Sequence, residues 1–356
     1  MNCNKEKLNL IFIIIKSIIL ISVITTVFNS KSFLSKTLDS ILNQTFKNFE
    51  LVIIDDYSTD GSKELIKAYQ LNYPKIKLIE NEKNQGVAYS RKKGAENASG
   101  KYHFFIDSDD VISKTALELL ANKLKEDEYD LILADYYKVL PKRKVLVSNY
   151  IPIPSNKKAY YKFLLTSKLK AFLWGRLIKR EYYIEFAKSF TDNNYEDICF
   201  NYFLFKKSKL KVSYINKPIY YYYKRFNSLS NSLDIFKEQM FLSKLFYISS
   251  LLDEIDPEKE LEKYFSLMCC RHWISFSRMR RDPFQHQEFL KELYYRHYLR
   301  VKKKLSTQEK LMFLLFYKNH KLGMITNYFF TRVITISANH KLKFLNNKNE
   351  PKQKDF

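Results

Sequence analysis

The sequence predicts an α/β fold: a mostly parallel, Rossmann-like central sheet with helices on both faces, followed by an α-helical C-terminal region. Three observations carry this. Between Leu20 and about Tyr137, short apolar runs alternate with amphipathic stretches, the signature of strands joined by crossover helices. The runs are dense in β-branched residues, as strands buried on both faces are. Acidic residues also gather at the carboxyl ends of these runs, where open α/β sheets bind their ligands.

In chain order, strands are predicted at 20–27 (LISVITTV), 50–54 (ELVII), 76–80 (IKLIE), 102–106 (YHFFI) and 130–136 (DLILADY). Amphipathic helices are expected between them, at about 31–44, 61–72, 87–98 and 114–126. The middle, about 138–235, is less regular. From about 233 to 338 the chain reads as successive helices, and it closes on a polar tail. No internal repeat is evident. The organisation predicted is an apolar N-terminal extension (1–18), an α/β domain (19–235, in two halves meeting at 137/138), a basic helical region (236–340) and the tail (341–356).

Composition bounds the rest. The chain has 356 residues, 46% hydrophobic and 28% charged, which excludes a disordered chain and a low-complexity fibre. Its formal charge of +23 implies an anionic partner. Residues 263–356 hold 20 Lys/Arg against 6 Asp/Glu, so +14 of that charge falls in the last quarter.

Leu8–Phe28 is nearly all apolar and long enough to span a bilayer. Lys16 interrupts it and no small-residue cleavage site follows, so 20–27 is assigned to a core strand. Residues 1–18 are left as an extension that touches the membrane or reflects a mis-set start codon. Cys3, Cys199, Cys269 and Cys270 show no metal-type spacing and are expected as reduced thiols.

The segment FIDSDD (105–110) is the most informative. Three carboxylates within four residues at a strand end repel one another and cost stability unless a cation neutralises them. Mg²⁺ or Mn²⁺ takes oxygen ligands, often one or two carboxylates plus substrate phosphates. A D-x-D at a strand end therefore suits the metal complex of a nucleotide diphosphate. An Asp-rich turn or helix cap is the alternative.

Residues 21–62 (ISVITTVFNSKSFLSKTLDSILNQTFKNFELVIIDDYSTDGS) and 81–110 (NEKNQGVAYSRKKGAENASGKYHFFIDSDD) resemble the family 2 glycosyltransferases, which have the GT-A fold. A fainter likeness continues through 174–205 and 220–230. The resemblance implies a nucleotide-sugar half at 19–137 and an acceptor half at 138–235. It implies that Thr26 and Phe28 line the base and ribose pocket, that Asn29 turns the chain, and that Asp56 accepts a hydrogen bond from the base. Arg91 would approach the diphosphate or base, with Ser108 also on the nucleotide side. Asp107 would face the ribose or the metal, and Asp109 would ligate that metal, Mn²⁺ or Mg²⁺. Asp110, Trp174 and Glu196 fall on the acceptor side, Asp197 is the expected catalytic base, and Arg225 could reach the phosphates. The sequence departs from the family pattern at Thr26 (a frequent Pro), Tyr57 (a frequent Gly), Lys92 (a frequent Asn) and Tyr223 (a common basic residue).

The activity implied is an inverting, metal-dependent transfer of a sugar, from a UDP-sugar above all, to a hydroxyl of a glycan or lipid-linked acceptor in surface polysaccharide or lipooligosaccharide synthesis. The pair Glu196-Asp197 also reads as a helix N-terminal acidic pair offsetting the helix dipole. Two competing functions are a nucleotidyltransferase using the same carboxylates and a non-catalytic membrane-associated partner. The lack of a Gly-rich, Lys-containing phosphate loop near the first strand argues against the former. The intact Asp56, Asp107, Asp109 and Asp197 argue against the latter. Basic and aromatic residues mix at 271–284 and 294–305, suiting an anionic membrane surface. No nucleic-acid motif is present. The expected location is the cytoplasm, peripherally on the inner face of the cell membrane.

Overall fold

The structure, a computed structural model, describes residues 20–152, 156–190, 196–207, 209–225, 236–277 and 288–318. The extension 1–18 and the tail 341–356 lie outside the described residues. No helix among the described residues is long and apolar enough to cross a membrane. Cys199, Cys269 and Cys270 are buried thiols, and Cys3 lies outside the described residues.

The chain divides into two compact units, residues 1–257 and 258–356. The first half of unit 1 follows the predicted alternation: β1 (Ile21–Val27), α1 (Lys31–Leu42), β2 (Phe49–Asp55), α2 (Ser62–Asn72), β3 (Ile76–Glu80), α3 (Val87–Asn97), β4 (Tyr102–Asp107), β5 (Val111–Ile112) and α4 (Ala116–Lys123). Then come β6 (Leu131–Leu140), β7 (Arg143–Val147), α5 (Lys157–Leu165), β8 (Leu177–Lys179), α6 (Arg180–Ser189), α7 (Glu196–Phe205), β9 (Val212–Tyr223) and α8 (Phe236–Ile255).

The sheet order is β3-β2-β1-β4-β8-β6-β9-β5, with β7 paired to β6. β3, β2, β1 and β4 run parallel. β8 enters antiparallel between β4 and β6, and β6 pairs parallel with β9 in the longest register of the sheet. Ile21, Val23, Ile24, Val27, Leu51 and Ile53 have no or almost no exposure, which is why the β-branched runs showed no polar alternation. Helix α3 lies very close to the sheet. A Cβ built on Gly94 would meet Ile54 at 2.4 Å and Ile24 at 2.7 Å, so only glycine permits that approach.

Helix α8 groups with unit 1, whereas the sequence-based division falls at 235/236. The reason is contact: Tyr247 meets Phe190 edge-on at 6.1 Å, Lys206 pairs with Glu254 at 2.6 Å and Lys158 with Asp256 at 3.3 Å.

Unit 2 contains α9 (Glu262–Ser277), α10 (Glu288–Val301) and α11 (Thr307–Lys318), with a 3-10 turn at Lys302–Lys304. Its interior includes Leu261, Phe265, Cys269, Tyr294, Tyr298 and Phe313. Tyr298 and Phe313 stack at 4.5 Å, Tyr295 and Tyr317 at 4.6 Å. Two tyrosines of the 294–305 segment, Tyr294 and Tyr298, are thus core residues, while Lys302, Lys303 and Lys304 are exposed.

Candidate active site

The site is built at the carboxyl ends of β1, β2 and β4. Register sets Thr26 of β1 between Ile54 of β2 and Asp107 of β4. Phe28, the next residue after β1 but one from Thr26, is 47% exposed, a ring available for stacking. Asn29 sits in the left-handed region, φ 48. Its Oδ1 accepts from the Thr59 N–H at 2.8 Å, and its own N–H donates to Ser58 Oγ at 3.0 Å. Tyr57 also sits in the left-handed region, φ 68, a conformation costing a side-chain-bearing residue ~1–2 kcal/mol. A glycine would adopt it without that cost.

Asp56 is buried and holds the 81–86 loop. Its Oδ1 accepts from the Gln85 N–H at 2.8 Å and Asn81 Nδ2 at 2.7 Å, and its Oδ2 from the Gly86 N–H at 2.8 Å. Gly86 adopts φ 87 to offer that N–H. Beside it, Asp55, Tyr57, Ser58 and Asn81 help line a cleft of about 430 Å³.

The acidic turn follows β4. Carboxylate oxygens of Asp107, Asp109 and Asp110 lie within 4.8 Å of one another. Asp107 and Asp109 side chains are each 30% exposed. Burial, then the neighbouring Asp107 charge, raises the pKa of Asp109. Burial with both neighbouring charges pushes Asp110 well up.

Two candidates sit differently from expectation. Asp110, expected on the acceptor side, is fully buried. Its Oδ2 accepts from the Tyr220 hydroxyl at 2.7 Å and its Oδ1 from the Tyr223 N–H at 2.8 Å. The Tyr220 hydroxyl in turn accepts from the Asp107 N–H at 3.2 Å. Asp110 therefore braces the end of β4 against β9. Ser108, expected on the nucleotide side, is buried with its Oγ 2.8 Å from Ser30 Oγ, and its carbonyl accepts from Thr37 Oγ1 at 2.9 Å. It fixes the turn from behind.

The cluster is also partly neutralised by the protein. Arg225 Nη2 lies 3.3 Å from Asp109 Oδ2, and its guanidinium covers the Phe33 ring. Arg91 Nη2 donates to Asp107 Oδ1 at 2.7 Å while Nη1 pairs with Glu196 Oε1. Burial works against the Arg91 charge, but Glu196 and Asp107 outweigh it and raise its pKa. One guanidinium thus joins the acidic turn after β4 to Glu196, 105 residues from Arg91 along the chain. Glu196 is buried in that pairing.

Asp197 opens α7. Its Oδ1 accepts from the Ile198 N–H at 2.7 Å, a local turn bond. Burial first, and then the Glu196 charge, push its pKa up to about 7, against the opposing pull of Arg91. Behind it, Asn201 Nδ2 donates to the Asp197 carbonyl at 2.6 Å and to the Ala171 carbonyl at 3.0 Å, while Asn201 Oδ1 accepts from Arg176 Nη1 at 2.6 Å. Burial lowers the Arg176 pKa to about 9.

Trp174 stands in an aromatic wall. It stacks on Phe172 at 3.7 Å, on Tyr220 at 4.6 Å and on Tyr222 at 5.4 Å, and meets Tyr136 edge-on at 5.0 Å. Through Tyr220 this wall connects directly to Asp110. Sequence reasoning missed Tyr220, Arg176, Asn201 and Asn81. The YYYY run at 220–223 and the WGR triplet at 174–176 were the signals available, but neither says which residue turns inward.

The donor set suits a hard divalent cation. It is all oxygen, its members already converge, and burial with mutual repulsion lifts two of their pKa values, so added positive charge is favoured there. Asp107 and Asp109, the exposed members, are the ones that would hold it.

A curled, mostly parallel sheet with a D-x-D at its working end and carboxylates converging from a second half defines a GT-A sugar-transferase framework. Residues 22–212 match the model of Glycosyl transferase family 2, over half of the chain, and the chain belongs to that family. It is 33% identical over 227 residues to a cholesterol galactosyltransferase of Borreliella burgdorferi, covering 60% of this chain and 63% of that one. It is 34% identical over 220 residues to glycosyltransferase GlyA of Streptococcus pneumoniae, covering 59% and 31%. The chain thus spans less than two thirds of either relative. Among solved structures, Staphylococcus aureus TarS 1–349 in complex with UDP-GlcNAc shares the fold with a TM-score of 0.62 at 20% identity, covering 87% of this chain and 89% of that one.

Proposed function

We propose that this chain transfers a sugar from a UDP-sugar to a hydroxyl of a glycan or lipid-linked acceptor during bacterial surface-polymer or lipooligosaccharide synthesis, with inversion and with Mn²⁺ or Mg²⁺ bound. The observation that carries the reading is the Arg91 bridge, which sets Asp107 and the Glu196-Asp197 pair at one centre. The UDP complexes of TarS and the sterol acceptor in the Borreliella relative's name support the donor and acceptor classes.

The exposed Phe28 ring and Thr26 take the base and ribose, and the loop that Asp56 holds closes over them, with Asp56 offering the base a carboxylate oxygen. Asp107 and Asp109 would hold the metal, which would supply stabilisation of the charge on the departing diphosphate. Arg91 and Arg225 lie within reach of the same phosphates and exchange carboxylate for phosphate partners when the donor arrives. Asp197 takes the acceptor's proton at a carboxylate oxygen. A pKa near neutrality suits a general base, whose contribution is typically ~10²–10⁴-fold. A base on the face opposite the leaving group inverts the anomeric carbon. Trp174 and its stacked partners form the acceptor wall. The exposed Lys302–Lys304 turn and its neighbours face an anionic inner membrane surface, placing the enzyme peripherally in the cytoplasm.

The test is a thermal shift with UDP and Mn²⁺ beside a donor-turnover assay. UDP with Mn²⁺ at a hundredfold excess over Kd stabilises a binder by ~2.7 kcal/mol. No shift with any nucleotide would refute the reading.

A further inference from the structure

The richest unassigned charge feature is in unit 1. Residues 136–180 contain 12 Lys/Arg and no Asp or Glu. At its start lies the β6–β7 hairpin, whose tip is Pro141-Lys142 between the paired Leu140 and Arg143. Lys142, Arg143 and Lys144 are exposed. Two aliphatic side chains beside them are uncovered: Val145, 38% exposed, and Leu146, 54%. Successive strand residues face opposite sides, so both faces of β7 are open, and β7 pairs with β6 alone among the described strands.

The root of this hairpin belongs to the site. Val139 pairs with Tyr223, and its carbonyl accepts from the Lys224 N–H at 3.1 Å. The Tyr223 N–H holds Asp110, and Arg225 holds Asp109. Tyr137 and Tyr221 pack at 5.3 Å with Lys144 Nζ over the Tyr137 ring at 4.7 Å, which stiffens the strand pair where it leaves the sheet. An aliphatic pair ringed by cations, with no carboxylate nearby in sequence, is the composition that seats in an anionic bilayer interface: the chains enter the headgroup layer and the cations meet the phosphates.

We infer that the β6–β7 hairpin is a membrane contact of the catalytic unit, placing the acceptor mouth against an anionic bilayer. The inference rests on the reading that the acceptor is lipid-linked, and it differs from the anchor proposed for unit 2. A hairpin fixed to the Asp109-Asp110 turn sets the height of the carboxylates above the lipid surface, which a tail anchor alone does not.

The test is flotation of the full chain with phosphatidylcholine vesicles, with and without phosphatidylglycerol, for the native sequence, K142E/R143E/K144E, V145S/L146S and K302E/K303E/K304E. Thermal shift with UDP and Mn²⁺ and size-exclusion elution are read on each. The expected result is binding to anionic vesicles that falls about tenfold or more in the hairpin charge reversal, falls also in V145S/L146S, and weakens in high salt. The nucleotide shift stays as in the native chain. Equal flotation of the native chain and both hairpin variants, or flotation lost only in K302E/K303E/K304E, would overturn it. A hairpin variant that changes the oligomeric state but not flotation would also overturn it, making the edge a strand-pairing surface. Hairpin-dependent flotation with no nucleotide shift in the native chain would leave the membrane contact standing and remove the transferase reading.

Discussion

At the scale of single residues, the proposed chemistry turns on Asp197 and Arg91, with Tyr220 bracing the acidic turn. Asp197→Asn keeps the shape of the α7 terminus but removes the proton acceptor, so turnover should fall ~10²–10⁴-fold while the UDP and Mn²⁺ thermal shift persists. Loss of that shift would reassign Asp197 to the donor side. A base works deprotonated, and burial beside Glu196 raises the Asp197 pKa to about 7. Turnover should therefore rise with pH through about 7, not through the ordinary carboxylate range near 4. A flat profile between pH 5 and about 8 would contradict this role. Tyr220→Phe deletes the hydroxyl that ties Asp110 to the Asp107 N–H. It should cost about 1–3 kcal/mol of stability by leaving a buried carboxylate oxygen short of its donor, read as a shift of the urea midpoint, with Mn²⁺ affinity reduced alongside.

At the scale of elements, the parallel half was legible and the later half was not, for a physical reason. β1, β2 and β4 are buried on both faces and flanked by four amphipathic helices, so composition alone marks them. β8 has three residues, too few for any period, and β9 carries irregular register against β6 near Asp135, which scrambles alternation. The D-x-D at the end of β4 was legible because its charge is anomalous for a strand end. The burial of Ser108 and Asp110 was not, since it depends on Ser30 and Tyr220 arriving from elsewhere in the chain. Nor was it legible that Arg91 and Arg225 supply part of the positive charge beside the acidic turn, because their pairings bridge long sequence separations. One element-scale prediction concerns β4. His103 is fully buried, with both ring nitrogens lacking hydrogen-bond partners, and burial lowers its pKa to about 3. The unfolded chain takes up that proton below about 6.5 and the native one does not, so stability is lost as pH falls from about 6.5 toward 3. Asp197, whose pKa is raised, acts in the opposite direction over part of that range. The His103 contribution is therefore isolated by comparison: His103→Phe should show a shallower loss of urea midpoint between pH 7 and about 5 than the native chain.

At the scale of the whole molecule, the sheet-bearing unit carries the acidic turn after β4, the Glu196-Asp197 pair and the Trp174 wall, and the second unit carries exposed cations at Lys302–Lys304. With the donor held through a divalent ion as proposed, removal of divalent ions should abolish both the UDP thermal shift and turnover, with Mn²⁺ or Mg²⁺ restoring them. The most direct measurement is the rate of UDP release from a panel of UDP-sugars, with Mn²⁺ and with chelator, for the native chain and Asp109→Asn. The account predicts metal-dependent release from at least one donor by the native chain, reduced about a hundredfold or more in the variant. Release that ignores both chelator and substitution would mean that the acidic turn after β4 is not where the sugar donor is held.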